Sequence, residues 1–276
     1  MLKLMYITNR PEIAKIAESA GVDRIFVDME FIGKDARQKG LDTVKSHHTV
    51  QDAANIRQAV KNAEVLVRIN PIHDALPDYG SSGDEIDAVI AAGADIVMLP
   101  FFKTAAEVSK FVRLVGGRAK TMLLLETPEA VEAVDEILAV PGVDNIHIGL
   151  NDLSLGYGMK FMFELLTDGT VERLCFKFRQ KGMHFGFGGI AAIGKGMLPS
   201  EYVIKEHYRL GSSCAILSRS FCDTAKMSDL NAISDTFDRG VKEIRRLEAE
   251  CELHSLFFME NEKEVRRLVD RIIKGK

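Results

Sequence analysis

Short apolar runs punctuate the chain at Leu2–Ile7, Arg24–Asp28, Val65–Ile69, Ile96–Leu99, Thr121–Leu125, Asn145–Ile148, His184–Gly188 and Cys214–Ser218. They are continuous rather than alternating, which predicts strands covered on both faces, the condition of a parallel sheet with helices outside. Between them apolar residues fall at helical spacing, as in Ile13, Ile16 and Ala17, or Ile56, Ala59 and Val60, or Val131, Val134 and Ile137. The order is βα, repeated, and eight such units predict a closed (β/α)8 barrel of the α/β class. Glycine cues at Ala20-Gly21-Val22-Asp23, Ala92-Gly93-Ala94-Asp95, Pro141-Gly142-Val143-Asp144 and Leu210-Gly211-Ser212 read as the αβ loops at the bottom of that barrel.

The pattern continues past the eighth strand. Ile233, Phe237, Val241, Ile244, Leu247 and Cys251 step by three or four along a long amphipathic helix, and Val265, Leu268 and Ile272 stripe a last one. Residues 1–225 therefore read as a catalytic barrel, and residues 226–276 as a helical extension that packs on the barrel or on a neighbouring subunit. Two helices exceed what a barrel needs, so a homo-oligomer is expected.

Composition narrows the partners. The 276 residues are 46% apolar and 28% charged, which excludes disorder and fibrous classes. Lys plus Arg total 36 against 40 Asp plus Glu, a net charge of −4, so a nucleic-acid partner is not expected. Cys175, Cys214, Cys222 and Cys251 form no Cys-x-x-Cys pair, and residues 1–11 hold no long apolar segment, so a reducing cytoplasm and no membrane partner are expected.

In such barrels chemistry sits at the carboxyl ends of the strands. Strand two ends Asp28-Met29-Glu30, strand three Arg68-Ile69-Asn70, strand five Glu126-Thr127, and strand six runs into Gly149-Leu150-Asn151-Asp152. A single acid at such a turn reads as a helix cap. Two acids on neighbouring strands, Glu126 and Asp152, with an arginine on a third, read instead as oxygen ligands for one hard divalent cation, magnesium or manganese. Backbone amides of Gly149, Leu150 and Asn151, where glycine permits close approach, would receive a substrate carboxylate.

These strand ends also carry a family resemblance. Ile25-Phe26-Val27-Asp28-Met29-Glu30, Val67-Arg68-Ile69-Asn70, Gly93-Ala94-Asp95-Ile96-Val97-Met98-Leu99-Pro100, Leu125-Glu126-Thr127-Pro128-Glu129-Ala130 and Ile148-Gly149-Leu150-Asn151-Asp152-Leu153-Ser154 resemble, in order and spacing, the HpcH/HpaI aldolase and citrate lyase beta-subunit family. The resemblance implies a TIM barrel, a divalent metal on Glu126 and Asp152, and Arg68 on the oxygen that becomes an enolate. It implies carbon–carbon bond chemistry on a 2-oxo acid such as pyruvate, with an aldehyde or acyl partner. Asp28 and Glu30 would act as supporting acids. An acyl-thioester lyase or hydrolase of the citrate lyase branch, and a non-catalytic barrel that binds a 2-oxo acid, are the alternative readings.

One position departs from the aldolase branch, which resembles Asp-x-Glu-His where this chain has Asp28-Met29-Glu30-Phe31. The citrate lyase branch lacks that histidine as well. His47 and His48, in the loop after strand two, are candidate replacements as proton carriers, with a cap on the helix beginning near Val50 as their structural alternative. His73 and His147 are further candidates, His147 being expected against the barrel wall. Gly188 and Gly189 after strand seven, with Lys195 and Arg219, are candidates for binding an anionic part of the substrate, against the alternative of tight helix–strand packing. The segment Asp78-Tyr79-Gly80-Ser81-Ser82-Gly83 is expected to form a loop above the site without assigned chemistry.

Overall fold

The computed structural model describes residues 1–33, 48–253 and 257–275. Its strands are β1 (Lys3–Ile7), β2 (Arg24–Asp28), β3 (Glu64–Arg68), β4 (Ile96–Leu99), β5 (Lys120–Leu125), β6 (Asn145–Ile148), β7 (His184–Ile190) and β8 (Cys214–Leu217). All neighbouring pairs are parallel and β1 closes on β8, so the sheet is a barrel in sequence order. The described helices are α1 (Pro11–Ser19), α2 (Val50–Ala59), α3 (Ser82–Ala91), α4 (Ala105–Val115), α5 (Pro128–Glu132), α6 (Val134–Ile137), α7 (Leu150–Gly156), α8 (Glu164–Thr167), α9 (Thr170–Gln180), α10 (Ser200–Leu210), α11 (Leu230–Leu253) and α12 (Phe257–Ile273).

Both faces of each strand are buried, which is why the apolar runs are unbroken. Met5, Phe26, Leu66, Met98, Met122 and Leu124 fill the barrel interior, while Ile25, Val67, Val97 and Leu123 pack outward under the helices. Helices α2, α3 and α4 start where short polar side chains take up free backbone N–H groups. Thr49, Ser81 and Thr104 each accept from the third helical residue in a capping box, so the start of α2 is capped by Thr49 and not by the adjacent histidine. The four glycine cues all have positive φ, and α10 ends on Gly211 at φ +76°.

The apolar stripe of α11 turns onto the barrel. Ile233, Phe237, Val241, Ile244 and Cys251 are buried, against α1 and α10, while α12 covers α10 and α8 with Val265, Leu268 and Val269. Each fully buried apolar side chain contributes about 1.5–3 kcal/mol, so this packing outweighs the exposed ion pairs along the same helices at about 0–1 kcal/mol each. The buried Glu248 accepts from the Leu2 N–H at 2.6 Å, fastening α11 to the entry of β1.

Candidate active site

The register of β2 and β3 sets Asp28 directly beside Arg68. Side chains at paired positions of parallel strands point to the same face, here the barrel interior, and the two meet as a fork: Arg68 Nε donates to Asp28 Oδ1 and Nη2 to Oδ2, both at 2.8 Å. Glu30 Oε2 stands 3.4 Å from Nη1. Burial disfavours the guanidinium charge, yet the carboxylates of Asp28, Glu30 and Glu126 outweigh that cost and hold Arg68 more firmly protonated than an ordinary arginine. The fork fixes the plane of the guanidinium over the Phe26 ring, 5.6 Å from its centroid.

Glu126 follows β5 and is buried, and its Oε1 accepts from the Phe101 N–H at 3.1 Å. Phe101 is the only non-glycine residue with positive φ among the described residues, at +49°. That conformation costs about 1–2 kcal/mol and aims an amide at the carboxylate. On the other side, a Cβ at Gly149 would fall 2.8 Å from both Cβ and Oε2 of Glu126, so only glycine leaves the carboxylate its place. Arg68, Glu126 and Asp152 line one cavity of about 210 Å³, together with Gly149, Leu150, Asn151, Gly188 and Gly189. Ile7, Phe26, Leu124 and Ile216 make its apolar floor. Glu126 and Asp152 also border a second, outer cavity of about 530 Å³ walled by Phe101, Pro128 and Leu155.

The structure thus brings together the arginine, both candidate metal ligands and five of the candidate substrate-binding residues. Asp28 and Glu30 stand against Arg68 and do not line the cavity. His48 is placed elsewhere. It lines an outer recess with Met29, Phe31 and Tyr79, and its Nδ1 accepts from the Asp28 N–H at 2.9 Å, so the neutral ring carries its proton on Nε2. His47 lies outside the described residues. Arg219 and Lys195 do not border the cavity. His73 braces its own loop through Pro71, Gly80 and Ser82.

His147 differs from the expectation that it meets the barrel wall. It shares the inward face of β6, beside Leu124 in register, and lines the cavity. Its Nε2 bonds the Gly188 carbonyl at 3.0 Å, and burial pushes its pKa down to about 4, so it stays neutral while bonded to the β7 backbone. Period-two alternation along Asn145-Ile146-His147-Ile148 carries the signal, once one neighbouring residue's side is known. Phe101 had no signal in sequence, because nothing marks its left-handed backbone.

Among the described residues, no three His, Cys, Asp or Glu side chains gather as a metal-binding group. The protein's own donor set is therefore the carboxylate pair. Two oxygen donors, one seated against a glycine that admits it, fit a hard divalent cation that keeps several positions for other ligands.

Eight parallel strands with acids and a forked arginine gathered at their carboxyl ends define a (β/α)8 barrel with a polar site at the end where such barrels carry their chemistry. Residues 3–163 match the HpcH/HpaI aldolase/citrate lyase family, and the chain belongs to it, which makes it an enzyme of the aldolase or lyase type. Solved structures similar in fold include an HpcH/HpaI aldolase/citrate lyase family protein from Burkholderia cenocepacia J2315, with a TM-score of 0.62 and 17% identity over 81% of this chain and 91% of that one. An HpcH/HpaI aldolase from Desulfitobacterium hafniense DCB-2 gives 0.60 and 20% identity over 88% and 93%. The citrate synthase SbnG gives 0.58 and 17% identity over 86% and 92%. A stretch of 71 residues is 31% identical to pyruvate kinase of Methylorubrum extorquens, 26% of this chain but only 14% of that protein's length. No described helix is long and apolar enough to cross a membrane.

Proposed function

We propose that the protein is a divalent-metal-dependent aldolase or lyase that makes or breaks a carbon–carbon bond through the enolate of a 2-oxo acid such as pyruvate, with an aldehyde or acyl partner. The observation that carries this reading is that Arg68, Glu126 and Asp152 line one cavity. Glu126 and Asp152 would hold the cation. Magnesium or manganese, when bound, draws electron density from a keto group and acidifies the adjacent carbon.

Arg68 supplies the second source of positive charge. Its guanidinium is already fixed by Asp28, so no reorientation is needed as negative charge grows on the enolate oxygen, and a donor of this kind is typically worth about 3–4 kcal/mol. Gly149, Gly188 and Gly189 leave backbone exposed where the substrate's carboxylate would lie. The apolar floor limits water around the reacting carbon. His48, engaged with Asp28 outside the cavity, is poorly placed to carry the proton, and its role is tested below.

The decisive experiment follows exchange of pyruvate methyl protons for solvent deuterium, with manganese or magnesium and with a chelator, alongside pyruvate release from 4-hydroxy-2-oxo acids. Metal-dependent exchange is expected. Absence of both reactions at saturating metal would overturn the reading, and turnover of an acyl thioester in their place would move the protein to the citrate lyase-like alternative.

A further inference from the structure

The loop expected to be without chemistry, and the helix after it, hold a buried network that reaches back to the turn bearing Asp28 and Glu30. Asn70, fully buried just past β3, accepts on Oδ1 from both the Phe31 and Ile32 N–H groups at 2.9 Å. Its Nδ2 donates to Glu85 Oε1 at 2.9 Å, and its own N–H lies 3.2 Å from both oxygens of that carboxylate. Tyr79 adds a third donor, its hydroxyl to Glu85 Oε1 at 2.9 Å, while the edge of its ring packs on Phe31 with centroids 5.0 Å apart. Glu85 itself is 5% exposed on α3 and does not line the cavity.

We infer that Glu85 is a positioning residue for the proposed reaction: by accepting from Asn70 it orients the amide that anchors the strand-two turn, and so holds Asp28 and Glu30 against Arg68. The inference rests on the reading given under the proposed function. An asparagine amide has two nearly isosteric orientations, and only one presents oxygen to the two backbone N–H groups. The carboxylate selects that one, because the flipped amide would aim a carbonyl at a carboxylate and NH2 at two donors. The turn is bracketed as a result. Met29 N–H donates to the Arg68 carbonyl at 2.9 Å, Phe31 and Ile32 are held by Asn70, and Glu30 lies between these anchors. A buried network is worth having only when each member is satisfied, and here the acceptors of one carboxylate meet donors from Asn70 and Tyr79.

Glu85→Gln tests this, since it keeps the shape but offers one acceptor oxygen and adds two donors where three donors already converge. The turnover number for pyruvate deuterium exchange should fall by about tenfold or more, because small misplacements at a reacting centre are costly, with KM for pyruvate nearly unchanged. The Phe31 and Ile32 amides, slow to exchange with solvent in the unsubstituted protein, should become fast. Asn70→Asp combined with Glu85→Gln reverses the polarity of the side-chain pair at constant net charge, and should restore both turnover and amide protection. Tyr79→Phe removes one donor and leaves Asn70 oriented, so it should retain turnover close to that of the unsubstituted protein. Unchanged turnover and protection in Glu85→Gln, a double variant no better than the single one, or a tenfold loss in Tyr79→Phe would each overturn the inference. Amide protection needs no variant to fold: fast exchange at Phe31 and Ile32 in the unsubstituted protein also overturns it. Absence of pyruvate exchange in that protein, by contrast, sinks the proposed function and leaves the amide measurement standing.

Discussion

Gly149 and Glu126 share a space that holds one of two things, a carboxylate or a methyl group, but not both: a Cβ at position 149 would approach Oε2 of Glu126 to 2.8 Å. Gly149→Ala should leave the barrel folded, by circular dichroism, and weaken manganese binding by about tenfold or more as Glu126 is displaced. Titration calorimetry reads this directly. Glu126→Gln and Asp152→Asn, which keep shape and lose charge, should abolish both binding and turnover. Wild-type affinity in all three variants would remove the carboxylates from the metal site.

Arg68→Lys keeps a positive charge but loses the planar fork that addresses both oxygens of Asp28. Turnover should fall about a hundredfold to a thousandfold, as for loss of a preorganised oxyanion donor, with manganese affinity nearly unchanged. Steady-state kinetics and metal titration on the same preparation separate the two effects. An unaltered turnover number would exclude Arg68 from the enolate.

Whether the histidine pair carries the proton is tested by comparison of His47→Gln, His48→Gln and Glu30→Gln in the deuterium-exchange assay. His48 faces an outer recess and Glu30 lies 3.4 Å from Arg68 Nη1. His48→Gln should therefore retain most of its activity, while Glu30→Gln should lose at least about tenfold through the altered charge behind Arg68. Loss of one limb of the pH–rate profile in either histidine variant would restore the histidine pair as the proton carrier.

Two buried histidines set a pH dependence of stability. Burial pushes His147 from 6.5 down to about 4, and His207, stacked flat on Phe187 at 3.8 Å, down to about 3. Both stay neutral in the fold while the unfolded chain takes up protons below pH 6.5. The contribution of the two histidines to stability is then complete above that pH and is lost as pH falls toward 4, at about 1.4 kcal/mol per pH unit for each histidine. Denaturant midpoints from pH 7 to 4 should show this slope, and His147→Gln should lower it by one proton's share. An identical slope in His147→Gln and the unsubstituted protein would contradict the buried neutral state of His147.

The barrel is legible in the sequence because strands buried on both faces leave unbroken apolar runs, and the strand ends are legible because charged residues interrupt those runs abruptly at Asp28, Arg68 and Glu126. The same unbroken runs conceal which side of the barrel a residue faces, so His147 could be placed only by the register that sets it beside Leu124. Chain proximity does not fix where a ring goes: His48 follows strand two, and its Nδ1 accepts from the Asp28 N–H. Asn70 and Glu85 stand 15 positions apart on different elements, and no local pattern announces their contact.

Pairing of β1 with β8 joins Lys3 to Cys214, and the bond from Leu2 to Glu248 spans 246 positions. During synthesis at about 5–20 residues per second, the first strand waits on the order of 10–40 s for its last partner to leave the ribosome. Throughout that interval its edge is an unpaired template for other chains, so the yield of active protein should depend on what shields β1 until the circle can close.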